Sequence, residues 1–303
     1  MEKSLETYMR FGIVHFMAFP ELGGGSGPWE ETVQHIALDP FFDAIEITHI
    51  EDAQVRERVK HLTHLARLSV GYGAHPTILG QGLNINSIDE DERKHACNVL
   101  KDHLDEAQYM GAESFVILSG KDPGKAQRKE AVDALIQSLR ILCQYSDKKG
   151  GPKVVVEVFD CEVDKHCLLG PSSLAKAVGE EIGKEYNNFG LLVDLSHIPL
   201  LNESPEQALV PVKKYIAGLH IGNAVIDPGC AGYGDNHPIF GTPGSANDVA
   251  EVVEFLRVLL DIGILDGKQR PIISFEIKPM EGQDSLVIIA NAKRVLKDAW
   301  AMV

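Results

Sequence analysis

Four short apolar runs each carry one polar residue out of character with its neighbours. Glu157 lies in KVVVEVFD (153–160), Asp194 in GLLVDLSH (190–197), His220 in IAGLHIGN (216–223) and Glu276 in IISFEIKP (272–279). A carboxylate inside an apolar run is costly to desolvate unless it is paired or bound to a cation. Each of the four falls toward the C-terminal half of its run. In an extended strand, residues i and i+2 share a face. Glu157 therefore stands with Val155 and Phe159, and Glu276 with Ser274 and Lys278. If these faces converge, three carboxylates and one imidazole meet at a point. Carboxylates that close repel one another, and a divalent cation removes the conflict. Oxygen-rich ligation with one imidazole suits Mn²⁺, Mg²⁺, Co²⁺ or Zn²⁺ without selecting among them. A single strand-borne acid is more often a salt-bridged core residue. Four on consecutive runs, at the same end, favour chemistry.

The elements that must position them follow from periodicity. Four further strand candidates precede these: GIVHFMAF (12–19), FDAIEITH (42–49), SVGYGAHP (69–76) and SFVILSG (114–120). Between the strands, apolar residues recur at helical spacing over 52–68, 91–110, 126–146, 247–263 and 284–303, and more weakly over 30–38, 172–184 and 204–214. Gly111, Gly150 and Gly263 stand where helices should stop. Eight β–α alternations with near-continuous apolar strands predict parallel strands covered by helices. Eight such units close into a (β/α)8 TIM barrel, read here as a single domain spanning residues 1–303. A doubly wound open sheet competes, but no GxGxxG follows the first strand, and GGGSG (23–27) lacks that spacing. In barrels the C-terminal strand ends carry the active site, which is where the four polar residues fall.

Composition narrows the class. The formal net charge is −15 over 303 residues, and an acidic surface disfavours nucleic acid as a partner. Five scattered cysteines, without a CxxC pair, read as reduced thiols in a cytoplasmic protein. The start, MEKSLETYMRFG, lacks an apolar signal core, and no apolar run approaches the ~20 residues that cross a bilayer. A soluble cytoplasmic protein without membrane partners is expected, and a homo-oligomer is compatible with it. There is no GxSxG elbow for a serine hydrolase. The long loop 222–245 carries an aromatic, an acid and a histidine among glycines and prolines, which favours a functional loop.

The Glu, Asp, His, Glu order on strands five to eight resembles the xylose isomerase-like barrels, the sugar phosphate isomerase/epimerase superfamily. The Asp194-Leu195-Ser196-His197 step is similar to one that recurs there. The resemblance implies that Glu157, Asp194, His220 and Glu276 hold a divalent metal. It also implies that Glu157 and Glu276 exchange a proton at the carbon beside a carbonyl, through a metal-bound enediolate. A sugar or keto-polyol isomerase or epimerase, with a small carbohydrate substrate, is the first expectation. Two positions depart from the ketose 3-epimerase pattern: Ile226 stands in place of an arginine, and Val163 in place of a glutamate. These imply different substrate contacts. The inosose dehydratases and the metal-bearing subunit of C-glycoside deglycosidases are similar too. They imply, as the alternative, a lyase acting on a keto-sugar or keto-inositol, with a histidine as base. Endonuclease IV resembles the chain in Asp235-Asn236-His237, His197 and His75, but its strand-four histidine is missing from LSGKD (118–122). His75, His197, Asp235, His237 and Lys278 are thus the expected substrate-binding groups, with a second metal on His197, Asp235 and His237 as the sharper version. A non-catalytic binding barrel is the remaining alternative.

Other residues carry weaker signals. His15 and Glu46 lie near the ends of the first two strands and could touch substrate or be buried hydrogen-bonded groups; for His15 the buried reading is preferred. Trp29 and Phe19 could stack on a sugar face, although aromatics there are as often packing. His35, His61, His64, His95 and His103 are expected to face solvent from helices.

Overall fold

Where Val, Ile, Leu and Phe run together between glycines and polar breaks, the chain is extended. The computed structural model describes residues 4–303, so the first three residues of the charged start lie outside it. The strands are β1 (Arg10–Ile13), β2 (Ala44–Ile47), β3 (Ser69–Gly73), β4 (Ser114–Leu118), β5 (Lys153–Val158), β6 (Phe189–Asp194), β7 (Ile216–Gly222) and β8 (Ile272–Glu276). They form one parallel sheet in the order β1-β8-β7-β6-β5-β4-β3-β2. The sheet closes between β1 and β2 through an isolated parallel bridge, Val14 to Glu46, and an Asp43 N–H donated to the Phe11 carbonyl at 2.8 Å. Every other neighbouring pair shares a ladder of at least three paired residues, with one register shift between Leu191 and Leu192 in β6, so this is the thinnest joint of the barrel.

The helices are α1 (His15–Ala18), α2 (Trp29–Ala37), α3 (Ala53–Leu65), α4 (His75–Gln81), α5 (Glu90–Met110), α6 (Arg128–Lys149), α7 (Ser172–Ile182), α8 (His197–Leu200), α9 (Pro205–Leu209), α10 (Val249–Asp261) and α11 (Ser285–Met302). Asp52 and Asp89 accept the first backbone N–H groups of α3 and α5, the usual role of an N-cap aspartate. Gly111 and Gly150 end α5 and α6 in the left-handed conformation, which a glycine adopts without steric cost. Outward strand residues such as Ile45, Ile47, Phe115, Ile117, Val154 and Val156 pack under the helices in one continuous core. Full burial of each such side chain contributes about 1.5–3 kcal/mol. Inside the barrel Val116, Val155 and Leu192 form a separate small apolar cluster.

The first strand differs from its expected bounds. It ends at Ile13, and His15–Ala18 turns into α1. Periodicity alone does not separate a strand from a helix in a continuous apolar run. The expected helix over 204–214 is only Pro205–Leu209, while α4 and α8 begin within the expected strands 69–76 and 190–197. Among the described residues no helix is long and apolar enough to cross a membrane.

Candidate active site

The barrel's interior is polar at its C-terminal end. Glu157 comes from β5, Asp194 closes β6, His220 sits in β7 and Glu276 closes β8. Each can offer one ligand atom such that all four atoms lie within 4.8 Å of one another, and all four residues are buried. The faces inferred from i, i+2 alternation therefore do converge. Gly222 helps make the room: a Cβ there would stand 2.8 Å from the Glu276 carbonyl and 3.2 Å from Asp194 Oδ1.

The residue set fits a divalent cation. Glu157 Oε1 and Asp194 Oδ2 are buried without a hydrogen-bond partner, a condition native proteins rarely leave unresolved. The donors are carboxylate oxygens plus one imidazole, as hard or borderline divalent ions prefer. In the metal-free chain, protons on histidines partly take the cation's place. His220 lies between two carboxylates, with Nδ1 2.6 Å from Glu276 Oε2 and Nε2 3.0 Å from Glu46 Oε1. Burial alone would push the His220 pKa down, but Glu46 and Glu276 outweigh it and raise it well above the ordinary value. Burial raises Asp194 to about 6, only partly countered by His197. Burial works against the charge of Glu276 too, yet His237, His220 and His197 hold it far below the usual carboxylate range.

A second group adjoins the first. His197, at the start of α8, donates its Nδ1–H to the Val158 carbonyl at 2.9 Å. That bond leaves Nε2 as the nitrogen facing Asp235 Oδ1, at 3.2 Å. His237 Nε2 lies 3.0 Å from the same oxygen. Asp235 Oδ1 and His197 Nε2 are close in charge but not aligned as a hydrogen bond, and both are without one. Burial opposes protonation of His237, but Asp235, Glu276 and Asp194 raise it to about 9. Asp194, His197 and His237 can also bring one ligand atom each within 4.8 Å. His75, at the start of α4, reaches Glu157 Oε2 with Nε2 at 2.9 Å, again without hydrogen-bond alignment. Glu157 and Glu276 each therefore have a histidine neighbour: His75 for the first, His237 for the second at 3.6 Å.

A family model described as the xylose isomerase-like TIM barrel matches residues 42–298. The chain belongs to this family. Solved structures with the family's barrel include a D-tagatose 3-epimerase-like protein (20% identity, 97% of this chain and 99% of that one, TM-score 0.71). The 3-keto-D-glucoside 4-epimerase from E. coli is similar at 15% identity over 95% and 99%, with a TM-score of 0.68. An AP endonuclease, family 2, from Brucella melitensis is similar at 17% over 94% and 98%, with a TM-score of 0.65. No curated protein matches the chain.

Within this family barrel, the sequence-predicted residues divide. Glu157, Asp194, His220, Glu276, His75, His197, Asp235 and His237 come together. Lys278 stands at the rim, half-buried, with its backbone N–H donated to the His237 carbonyl at 2.7 Å. Glu46 points not to the mouth but beneath His220. His15 is enclosed against Phe19 and Trp29, whose rings lie 5.1 and 5.5 Å away. Burial lowers its pKa to about 3, which keeps it neutral. Trp29 and Phe19 are thus packing residues and not a sugar platform. His35, His61, His64 and His95 are exposed as expected. His103 is not: it is half-buried, with Nδ1 2.8 Å from the Tyr72 hydroxyl.

Sequence reasoning missed Lys165. Asp160, fully buried after β5, accepts backbone N–H bonds from Val163, Asp164 and Lys165 and winds the following loop tightly. That loop carries Lys165 Nζ to 3.4 Å from Asp235 Oδ2. The only signal in the sequence was an aspartate closing an apolar strand, which resembles any strand-end turn. Phe159, one residue earlier, packs on His197 with ring centroids 4.2 Å apart.

Proposed function

We propose that the chain is a divalent-metal-dependent isomerase or epimerase of a sugar or keto-polyol, acting by proton transfer at the carbon beside a carbonyl. One observation carries this reading: Glu157, Asp194, His220 and Glu276 meet within 4.8 Å at the C-terminal mouth of the barrel, with two carboxylate oxygens left without a hydrogen bond. These four residues would hold the ion, which when bound supplies positive charge to steady the oxygens of a substrate that is losing a proton. The remaining work belongs to the chain. Glu157 and Glu276 come from strands on either side of Asp194 and His220, so they can serve the two faces of a substrate carbon. One removes the proton and the other returns one, with His75 and His237 placed to exchange protons with them.

The sugar epimerases among the similar structures support the substrate class. A second reading, elimination from a keto-sugar or keto-inositol, rests on a different observation. His197 is fixed through Nδ1 by the Val158 carbonyl, with Nε2 turned toward Asp235 Oδ1 at 3.2 Å, so an oriented imidazole stands beside the glutamates as a further group for proton transfer. Substrate exchange in D₂O separates the two. We expect the metal-loaded protein, given a panel of free ketoses and 3-keto-glycosides, to incorporate deuterium at a carbon beside the carbonyl without losing a group. Loss of water or of an aglycone would replace epimerisation with elimination. Neither exchange nor loss, with metal bound, would leave a binding barrel.

A further inference from the structure

We infer that Glu46 is a positioning residue that fixes His220 as a metal ligand from the opposite side of the ring. The inference rests on the metal reading above and concerns a residue outside the four-residue cluster. Glu46 lies on β2, across the barrel from β7, yet its carboxylate meets His220 Nε2 at 3.0 and 3.2 Å through its two oxygens. The other ring nitrogen, Nδ1, is the one beside Glu276. A carboxylate can only accept at neutral pH, so it holds the proton on Nε2 and leaves Nδ1 to face the cluster as a ligand atom. Pairing a ligand imidazole with a carboxylate sets its tautomer and its orientation, and makes it a better donor.

The surroundings are shaped for this carboxylate. Ser274, on β8 beside His220 in the ladder, donates its hydroxyl to Glu46 Oε1. Two glycines on flanking strands vacate the space. A Cβ on Gly71 would stand 2.8 Å from Glu46 Cγ, and one on Gly12 would stand 2.3 Å from Ser274 Oγ. Below Glu46 the barrel opens into a cavity of about 270 Å³ lined by Val70, Val116, Val155, Leu192 and Leu219, with Glu46 as part of its wall. Apart from Glu46, the charged residues of this cavity, Arg10, Glu113 and Lys153, stand at the strand starts. A buried ion pair here adds little to stability that apolar residues of similar volume would not supply. The Glu46–His220 pair, supported by Ser274, is therefore better explained by the orientation it gives the His220 ring.

The test is Co²⁺ binding, followed by its visible absorption and by competition, together with imidazole ¹⁵N NMR of the metal-free and Co²⁺-free Zn²⁺ forms. Wild type, Glu46→Ala, Glu46→Gln, Ser274→Ala and Asp194→Ala are compared. Expected is a roughly 10–100-fold loss of Co²⁺ affinity in Glu46→Ala and about tenfold in Glu46→Gln, in line with other outer partners of ligand histidines. Glu46→Gln keeps size and an acceptor oxygen, so it answers the question even if Glu46→Ala does not fold. The Zn²⁺ form should show His220 protonated at Nε2 in wild type and a mixed or reversed tautomer in Glu46→Ala. Unchanged affinity, spectrum and tautomer in both Glu46 variants would overturn the inference while leaving the metal site standing. Wild type that binds no more Co²⁺ than Asp194→Ala would overturn the metal reading and this inference together.

Discussion

The two mouths of the barrel are built on opposite principles. At the C-terminal mouth, buried carboxylates and histidines crowd together, and several of their atoms lack hydrogen bonds. At the N-terminal mouth, small and apolar side chains leave a cavity of about 270 Å³, with Arg10, Glu113 and Lys153 at its rim. One end tolerates electrostatic conflict and the other tolerates empty space. Both would be costly as pure stability choices. The difference teaches that the conflict is concentrated where the strand ends and following loops can supply chemistry, while the slack lies at the end where the strands begin. Glu46 belongs to both ends: it lines the cavity and meets His220.

The comparison is sharpened first at the charged mouth. Glu157→Gln should lower turnover by about 10²–10⁴, the usual contribution of a positioned acid or base, while the variant stays folded by circular dichroism. Turnover equal to wild type would remove Glu157 from the chemistry. The opposite experiment strikes the apolar mouth. Leu192→Ala should cost about 2–5 kcal/mol in denaturant unfolding, because it enlarges an existing void, with metal affinity unchanged. A fall in affinity as large as that in the Glu46 variants would show that the two mouths are not separable.

A smaller effect is expected for the loop over the site. Lys165→Ala removes one cation beside Asp235 and should raise KM about tenfold, the scale of one hydrogen bond to a charged group, with the melting temperature hardly changed. The smallest effect is in pH. His237 is raised to about 9 in the folded chain, so its stabilisation is full below about 6.5 and is lost as pH rises toward 9. The metal-free protein should therefore melt at lower temperature at pH 9 than at pH 6.5. A bound ion needs deprotonated ligands, so the stabilisation produced by added metal should grow over the same interval. A gap that narrows instead would mean that the histidines do not yield their protons to the ion.

Much of this contrast was legible in the sequence, for a physical reason. A charge in an apolar strand violates local expectation, and Glu157, Asp194, His220 and Glu276 all did so. Strand alternation then gave their common direction, and eight β–α units gave the barrel. His197, Asp235 and His237 were found only through motif resemblance, since loop residues have no period to betray them. Lys165 was invisible, because its position depends on how Asp160 winds a loop. The burial of His15 was anticipated, but not its place in α1, because a continuous apolar run does not reveal where a strand becomes a helix. Glu46 was noticed, but its direction depends on the seam between β1 and β2, which no single strand encodes.

That seam has a kinetic consequence. Val14 and Glu46 form the isolated bridge that closes the barrel, and Glu46 also steadies His220. Joints held by few backbone bonds open at lower free energy than continuous ladders. Amide hydrogen exchange should accordingly be faster at Asp43, whose N–H crosses the seam to the Phe11 carbonyl, than at Val155 or Leu192. The residence time of a bound ion should follow that same opening, so a disulfide or a tighter ladder across the seam would slow its escape without altering any ligand.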